Sequence, residues 1–239
     1  MFKNYKIILV TITAILVTSC ANSNKLPPKK ITTKNWNKAN QQVVNQYIKR
    51  ADAQLLPHFQ NAAISYPPKK IALLTFKHEQ AMELWAKDER KEWRYIKTYP
   101  ITPARGGLGP KLKENDHKIP EGSYRITHFN PFSQHHLSMM INYPNTQDKA
   151  FAQRDGRTNL GKEIFIHGRN SSAGCLSIGD ENVSQVYVLV NRVGKHNTKI
   201  IIAPNDLRKA EAKTHLDNQP DWVPELYSEL HQQLAMFST

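Results

Sequence analysis

The sequence predicts a β-rich α+β domain that is flanked by helices at both ends. Three observations indicate this class. Apolar residues recur at helical spacing between Trp36 and Ala62. Short apolar or alternating runs, separated by turn residues, fill the chain from about residue 67 to residue 204. Helical spacing then returns beyond Pro204. No internal repeat is visible, so the body of the chain is predicted to form one domain.

The first residues have the pattern of a secretory signal. Lys3 and Lys6 precede an uncharged apolar run from Ile7 to Val17, which is too short and too near the terminus for an ordinary membrane span. The run ends in "VTSC", which resembles a bacterial lipobox with Cys20 as the lipidated first residue of the mature protein. We therefore expect residues 1–19 to be a lipoprotein signal peptide. An ordinary signal peptide cut a few residues further on is the alternative.

The residues after the cysteine bear on localisation. Ala21 stands where an aspartate would suggest retention at the inner membrane. The resemblance to lipoproteins therefore implies a periplasmic protein whose lipid anchor lies in the inner leaflet of the outer membrane. Residues 20–34 are rich in Ser, Asn, Pro and Lys and lack apolar periodicity, which predicts a flexible tether.

The segment 35–66 is predicted to be mainly one amphipathic helix. The apolar positions at helical spacing are Val43, Val44, Tyr47, Ile48, Ala51, Leu55 and Leu56. "SYPPKK" ends this helix, because proline and the residue before it both disfavour helical backbone.

The segment 67–204 is predicted to consist of strands. Charged turns separate the runs Ile71 to Phe76, Ala81 to Trp85 and Trp93 to Tyr99, as in a meander. Further strands are predicted in "IPEGSYRIT", "HHLSMMINYP", "EIFIHG", "QVYVLVNR" and "KIIIAP". The segment 205–239 is predicted to be helical through "LRKAEAK" and "VPELYSELHQQLAMF".

The charge balance is strongly basic. Thirty-three Lys and Arg stand against twenty Asp and Glu, for a net charge of +13. Loss of Lys3 and Lys6 with the signal leaves +13 − 2 = +11. This balance predicts an anionic partner. The basic residues are scattered and carry no nucleic-acid motif, so an anionic envelope polymer or membrane surface is expected rather than nucleic acid. A basic surface that serves only solubility is the alternative.

Cys175 is a candidate nucleophile. The chain has two cysteines, and if Cys20 is acylated or removed, Cys175 has no partner within the chain. An unpaired thiol in an oxidising compartment is a liability, which favours a reactive role over an inert core position. Since a thiol attacks as the thiolate, it needs a base or a lowered pKa.

His167 is the candidate base, eight residues before Cys175 at the end of the predicted strand "EIFI". Gly168 and Gly174 allow the loop "GRNSSAG" to fold back and present the thiol beside the ring. Backbone N–H groups before and at Cys175 could then hold the oxyanion of a tetrahedral intermediate, which is the arrangement that acyl transfer needs.

Other assignments of these residue types are weaker. One His–Cys pair does not fill a zinc site, and no metal or cofactor is expected. His135 and His136 are adjacent, so in a strand they face opposite sides and do not share a site. A serine nucleophile at Ser171 or Ser172 would leave the lone thiol unexplained.

"IHGRNSSAGC" in a secreted chain resembles the motif of the L,D-transpeptidase catalytic domain, the YkuD-type fold. "GPKLKENDHKIPEGSYRIT" and "SMMINYPNTQD" are similar to two upstream blocks of that family, in the family's order. The short spacing from histidine to cysteine is most similar to the branch named after the murein transpeptidase YafK. The resemblance implies a β-rich, sandwich- or barrel-like catalytic domain over residues 67–204, with helical segments on both sides.

The resemblance also implies roles for individual residues. Cys175 would be the nucleophile, His167 its base, and the carbonyl of Gly168 the group that orients the imidazole. Ser172 would shape the loop, and Gly174 and Cys175 would supply oxyanion-hole N–H groups. Tyr143, in the "YPN" block, and Arg169 would contact the substrate. Two positions depart from the family: Ala173 where many members have histidine, and Ser177 where many have arginine.

By this resemblance the cysteine attacks a peptidoglycan stem peptide at diaminopimelate and forms a thioester acyl-enzyme. Transfer to an amine gives a crosslink or an attached protein. Transfer to water makes the protein a hydrolytic amidase or endopeptidase, which could release crosslinks or a lipoprotein linked to peptidoglycan. A non-catalytic peptidoglycan-binding lipoprotein is the remaining alternative.

Overall fold

The computed structural model describes residues 33–89, 92–213 and 219–238. The predicted signal peptide, Cys20 and the tether up to residue 32 lie outside these ranges. The helices are α1 Thr33–Asn61, α2 Thr146–Arg154, α3 Asp180–Val193 and α4 Val223–Leu234. The strands are β1 Lys70–Phe76, β2 Ala81–Lys87, β3 Arg94–Pro100, β4 Gly122–Tyr124, β5 Ile126–Asn130, β6 Ser138–Ile141, β7 Phe165–His167, β8 Leu176–Ser177 and β9 Thr198–Ala203.

The strands form two mixed sheets. One sheet has the order β3-β2-β1-β9-β4, and the other has the order β5-β6-β7-β8. Strands β1, β2 and β3 pair antiparallel in sequence order, which confirms the predicted meander. Strand β9 runs parallel to β1, and β8 runs parallel to β7. The predicted β-rich α+β class with flanking helices is confirmed.

Strand β1 explains the position of the core. Its residues Ile71 and Leu73 belong to the larger hydrophobic cluster, which also contains residues of α1 and α3. Its alternate residues Ala72 and Leu74 face a second cluster, which includes residues of α4. Because both faces of the sheet are covered, β1 is a nearly continuous apolar run instead of an alternating one.

The prediction of a strand at "QVYVLVNR" was wrong, because these residues lie in α3. The helix starts with Asp180 and Glu181 in its first turn, where acidic side chains favour the positive end of the helix dipole. Every residue from Val183 to Val190 is buried. Within this stretch Val186 to Val190 form a continuous run without a polar residue. A short run of that kind has no periodicity that separates a buried helix from a buried strand.

Two further local differences concern helices. "LRKAEAK", predicted to be helical, forms turns, whereas "VPELYSELHQQLAMF" contains α4 as predicted. Helix α2 was not predicted. It begins with a capping box in which the Asn145 side chain accepts a hydrogen bond from the Asp148 N–H and the Asp148 side chain accepts one from the Asn145 N–H. No helix in the described ranges is both long and apolar enough to cross a membrane.

A buried ion pair connects the first sheet to the loop before β4. Lys77 Nζ lies 2.9 Å from Glu121 Oε1, and both side chains are almost fully buried. Lys77 also donates to the carbonyls of Gly109 and Ile119, at 2.7 and 2.9 Å, while Glu121 Oε2 accepts from the Tyr227 hydroxyl of α4. Burial lowers the pKa of Lys77, and the adjacent Glu121 carboxylate opposes that shift.

We expect Lys77→Met to lower the free energy of unfolding by about 3–5 kcal/mol, because it leaves the Glu121 carboxylate buried without its cation. Urea denaturation followed by circular dichroism measures the change. Lys69→Met is the control, since Lys69 pairs with Glu89 at the exposed surface and should change stability by less than about 1 kcal/mol. If the two variants had the same free energy of unfolding, the buried Lys77–Glu121 pair would contribute no more to stability than the exposed Lys69–Glu89 pair.

Candidate active site

Strands β7 and β8 bring the predicted base and the predicted nucleophile to neighbouring positions at one edge of the second sheet. The parallel register pairs Ile166 with Leu176 and His167 with Ser177. Extended by one residue, it places Cys175 beside Phe165. Cys175 lies in the bend just before β8, and its sulfur accepts a hydrogen bond from the N–H of Phe165, which is two residues before His167 on β7.

The imidazole of His167 is held in one tautomer. Its Nδ1 lies 2.5 Å from the carbonyl oxygen of Gly168. A carbonyl only accepts, so Nδ1 carries the proton and Nε2 has the free lone pair. The side chain is buried. Burial lowers the pKa of His167, the Gly168 carbonyl opposes this, and the neighbouring His135 adds to the lowering. The ring is therefore neutral near pH 7.

Cys175 is half-buried and has no disulfide partner in the described part of the chain. Burial raises the pKa of its thiol. A hydrogen bond from the Phe165 backbone N–H and the positive charge of Lys111 act in the opposite direction. The resting sulfur is thus a thiol in a place where two groups stabilise the negative charge that develops on attack.

The buried side chain of Ser172 holds the loop before Cys175 in place through two hydrogen bonds. The Ser172 hydroxyl donates to the Cys175 carbonyl at 2.6 Å and accepts from the Gly174 N–H at 3.3 Å. Gly174 has φ +115, and a Cβ there would lie 3.1 Å from the carbonyl oxygen of Lys118. Glycine at this position therefore permits both the turn and the close approach of the 104–118 loop. In this structure the Gly174 N–H donates to the Ser172 hydroxyl. Its role in holding the oxyanion of a tetrahedral intermediate stays a prediction.

Gly168 leaves no room for a side chain. A Cβ would overlap with Asp180 Oδ1 and lie 2.8 Å from the carbonyl oxygen of His135. Asp180 accepts from the Arg169 N–H at 2.6 Å, and Ser177 donates to the Arg169 carbonyl at 2.6 Å. The start of α3 and strand β8 thereby hold the backbone whose carbonyl orients His167.

His135 and His136 lie in a turn and not in a strand. The His135 ring contacts the His167 ring, with centroids 4.7 Å apart. His136 points elsewhere, since its Nε2 lies 2.9 Å from Ser184 Oγ of α3. His135 therefore belongs to the surroundings of the base, and His136 belongs to the contact with α3.

The two predicted substrate-binding residues lie in different environments. Arg169 is exposed, with φ +62, and follows the catalytic-loop glycine directly. Tyr143 is buried in the larger hydrophobic cluster, and its hydroxyl donates to the Leu160 carbonyl at 2.9 Å. Contact of either residue with substrate stays a prediction. In the described ranges, no group of three His, Cys, Asp or Glu side chains forms a candidate metal site.

Three contributions near the site were not predicted from the sequence. They are the charge of Lys111, the contacts of Asp180 and the hydrogen bond from Ser177 to the Arg169 carbonyl. Lys111 is buried, and its ammonium lies 2.7 Å from Asp116 Oδ1 and 2.9 Å from the Lys113 carbonyl. The sequence signal that could have pointed to Lys111 was its position in the "GPK" block. The roles of Asp180 and Ser177 depend on contacts made only after folding.

The chain belongs to the family of L,D-transpeptidase catalytic domains, YkuD, whose family model matches residues 71–202, more than half of the sequence. It is 28% identical over 145 residues to the Escherichia coli protein named "Putative L,D-transpeptidase YafK". The match covers 59% of this chain and 56% of that relative. The chain therefore spans little more than half the length of the curated relatives that it matches.

Solved structures with a similar fold come from several bacteria. The helical cell shape determining protein Pgp2 of Campylobacter jejuni is 21% identical with a TM-score of 0.47, over 59% of this chain and 50% of that one. Bd1075 of Bdellovibrio bacteriovorus is 20% identical with a TM-score of 0.43, over 72% and 57%. L,D-transpeptidase 1 of Mycobacterium tuberculosis is 12% identical with a TM-score of 0.33, over 56% and 61%.

Proposed function

We propose that this protein is a cysteine acyltransferase that acts on peptidoglycan stem peptides, with Cys175 as nucleophile and His167 as base. The observation that carries the proposal is the hydrogen bond from the Phe165 N–H to the Cys175 sulfur, which places the thiol beside β7, the strand that ends in His167. The tautomer of His167 leaves Nε2 as the only ring atom able to take the thiol proton. Membership of the L,D-transpeptidase family supports the substrate class.

In the proposed reaction the thiol proton passes to His167 Nε2 as Sγ attacks the carbonyl carbon of diaminopimelate. The tetrahedral intermediate collapses when the peptide C–N bond breaks, and the departing amine takes the proton from the imidazolium. A thioester on Cys175 and a free amine result. An acceptor amine or water then attacks the thioester, His167 removes its proton, and the thiol is restored.

The two pKa shifts indicate when the proton moves. Burial raises the pKa of the Cys175 thiol and lowers that of the His167 imidazole, so both shifts favour the neutral pair over a thiolate–imidazolium pair. Proton transfer then accompanies attack, as in general-base catalysis. Lys111 stabilises the sulfur as negative charge develops on it.

The test is to incubate the purified full-length protein with purified sacculi and to identify the muropeptides by mass spectrometry. A crosslinked or exchanged product supports transpeptidation, and a shortened or released product supports hydrolysis as the fate of the same acyl-enzyme. An adduct of a carbapenem on Cys175 in the intact mass would report acylation independently. Unchanged muropeptides with no adduct would favour the non-catalytic binding alternative.

We also propose that the protein is anchored in the outer membrane through a lipid on Cys20, facing the periplasm. The "VTSC" pattern and the apolar run before it support this. Cys20→Ala should leave the protein without a lipid mass at its N-terminus and displace it from the membrane fraction. Wild-type protein without that mass, and with the same membrane association as the variant, would contradict the proposal.

A further inference from the structure

One peptide unit connects the proposed base to a carboxylate. Its carbonyl, which belongs to Gly168, lies 2.5 Å from His167 Nδ1, and its N–H, which belongs to Arg169, donates to Asp180 Oδ1 at 2.6 Å. This peptide is trans, so its C=O and N–H point in opposite directions. The imidazole and the carboxylate therefore lie on opposite sides of one planar group and are joined through it by two hydrogen bonds.

The backbone at this peptide unit needs contacts that hold its orientation. Arg169 has φ +62, in the left-handed region that residues other than glycine rarely occupy. Rotation of the peptide would relieve this strain and would turn the Gly168 carbonyl away from His167. Two side chains oppose the rotation. Asp180 accepts from the Arg169 N–H, and the fully buried Ser177 donates to the Arg169 carbonyl at 2.6 Å.

The position of Asp180 is fixed by a buried helix. Asp180 is the first residue of α3, and Ser184 donates to its carbonyl at 2.7 Å. The residues that follow in α3, Val183 to Val190, are all buried. The Asp180 side chain occupies the space beside Gly168 that a Cβ there would need. The carboxylate is thus held against the peptide unit by an element that cannot shift without disturbing the core.

The carboxylate also acts on the ring electrostatically. Hydrogen bonds in a chain polarise one another, so a carboxylate on the N–H side increases the negative charge on the Gly168 oxygen. That oxygen then binds the Nδ1–H of His167 more strongly. The path from Asp180 Oδ1 to His167 Nδ1 is roughly 7 Å long. The negative charge therefore favours the imidazolium that forms when Nε2 takes the thiol proton.

We propose that Asp180 is the positioning residue for the base: through the Gly168–Arg169 peptide unit, its carboxylate holds His167 in the Nδ1–H tautomer and stabilises the imidazolium. This inference rests on the proposed function, in which His167 removes the thiol proton. Asp180 acts through another group and does not touch the reacting atoms. It adds a charge to a site in which a neutral carbonyl orients the ring.

The other titratable groups around these two side chains are few and lie on different elements. The His135 ring contacts the His167 ring from a turn. The groups that share a cavity with Asp180, between α1 and α3, are Arg50, His136 and Glu181. Arg50 and Glu181 form an exposed ion pair with each other, at 3.0 Å. Each of these groups is unchanged in the Asp180 variants, so the variants isolate the effect of the Asp180 charge.

NMR of full-length protein with isotope-labelled histidine reads the tautomer and the pKa of His167 without turnover. The resonances of His167 are those missing from His167→Ala. Asp180→Ala should populate the Nε2–H tautomer, because it frees the peptide unit to rotate. Asp180→Asn keeps an oxygen that accepts from the Arg169 N–H. It should therefore keep the Nδ1–H tautomer but lower the imidazole pKa, because the negative charge is lost.

Acylation of Cys175 by a carbapenem, followed in the intact mass over a range of pH, gives the second readout. Asp180→Ala should lower the maximal rate roughly 10- to 100-fold, as expected for the loss of a charge-assisted hydrogen bond. In Asp180→Asn the loss of rate should be smaller, and the acid-side fall should move to lower pH with the imidazole pKa. A purely structural role would lower the maximal rate and leave the acid-side fall in place.

Glu181→Gln is the matched control. It removes an acidic side chain from the same turn of α3, where the partner is the exposed Arg50 and not the peptide unit. It should keep the wild-type tautomer, imidazole pKa and rate, and circular dichroism should show that all variants are folded. Wild-type values of all three in Asp180→Ala, or the same changes in Glu181→Gln, would overturn the inference. An unchanged imidazole pKa in Asp180→Asn would do so too, since the charge would then have no role.

Failure of the proposed function would look different. The changes at His167 would then be seen by NMR in the Asp180 variants, while the wild-type protein is not acylated by the carbapenem and forms no product from sacculi. That result would support the positioning of His167 by Asp180 and reject acyl transfer. Acylation of wild-type protein at a rate that the Asp180 variants share would support acyl transfer and reject the role of Asp180.

Discussion

Cys175→Ala is expected to abolish acyl transfer on sacculi, with a fall in kcat of the order of 10⁴–10⁶, as when an enzyme loses its covalent nucleophile. Sγ is the atom that would carry the thioester, and Cys175 is half-buried directly before β8. Cys175→Ser should be nearly as inactive, because a hydroxyl has a much higher pKa than a thiol. Muropeptide analysis by mass spectrometry measures the loss.

The matched control for the nucleophile is Ser171→Ala, four residues earlier at an exposed position of the same loop. It should retain full activity, and circular dichroism should show that all three variants are folded. Ser172→Ala should be intermediate, since it loses the hydrogen bond to the Cys175 carbonyl that shapes the loop. Full turnover by Cys175→Ala would overturn the assignment of the nucleophile.

His167→Ala is expected to lower kcat by roughly 10²–10⁴, the usual contribution of a general base. The wild-type rate should fall on the acid side only below the ordinary imidazole pKa near 6.5, because burial lowers the pKa of His167 and keeps the ring neutral. In the variant the rate should instead rise with pH through the alkaline range. Only unaided ionisation then produces the thiolate, and burial raises the thiol pKa.

The rate of acyl-enzyme formation, measured over a range of pH, distinguishes the acid-side fall expected for the wild type from the alkaline rise expected for His167→Ala. His136→Ala is the control, because that ring contacts Ser184 and not the base, and it should keep the wild-type profile. A His167→Ala profile with the same acid limb as the wild type would mean that another group is the base.

Several local features were predictable because their cause lies within a few residues. The strand β1, the meander that follows it and helix α1 were predicted from apolar spacing and from the charged or proline-containing breaks between runs. Helix α2 could have been predicted too, since Asn145 and Asp148 have the spacing of a capping box.

The buried elements were the ones that local patterns could not resolve. The run from Val183 to Val190 is buried throughout, its polar residues Ser184 and Gln185 included, and the five consecutive residues Val186 to Val190 have no helical period, so α3 was mistaken for a strand. "LRKAEAK" has helical propensity, yet there the chain turns. Arg208 and Lys209 pair with Asp206, and Arg208 also pairs with Glu83 of β2. The contact between Arg208 and Glu83 joins residues 125 positions apart in sequence.

The sequence by itself determined the family, the β-rich α+β class and the candidate pair His167 and Cys175, because a short motif and its glycines are contiguous in the chain. Only the tertiary structure decided what surrounds that pair. Lys111 affects the sulfur from a separate loop, and His135 contacts the base from a turn. Burial, charge and hydrogen bonding at the site depend on these distant segments, and their positions follow from packing and not from local spacing.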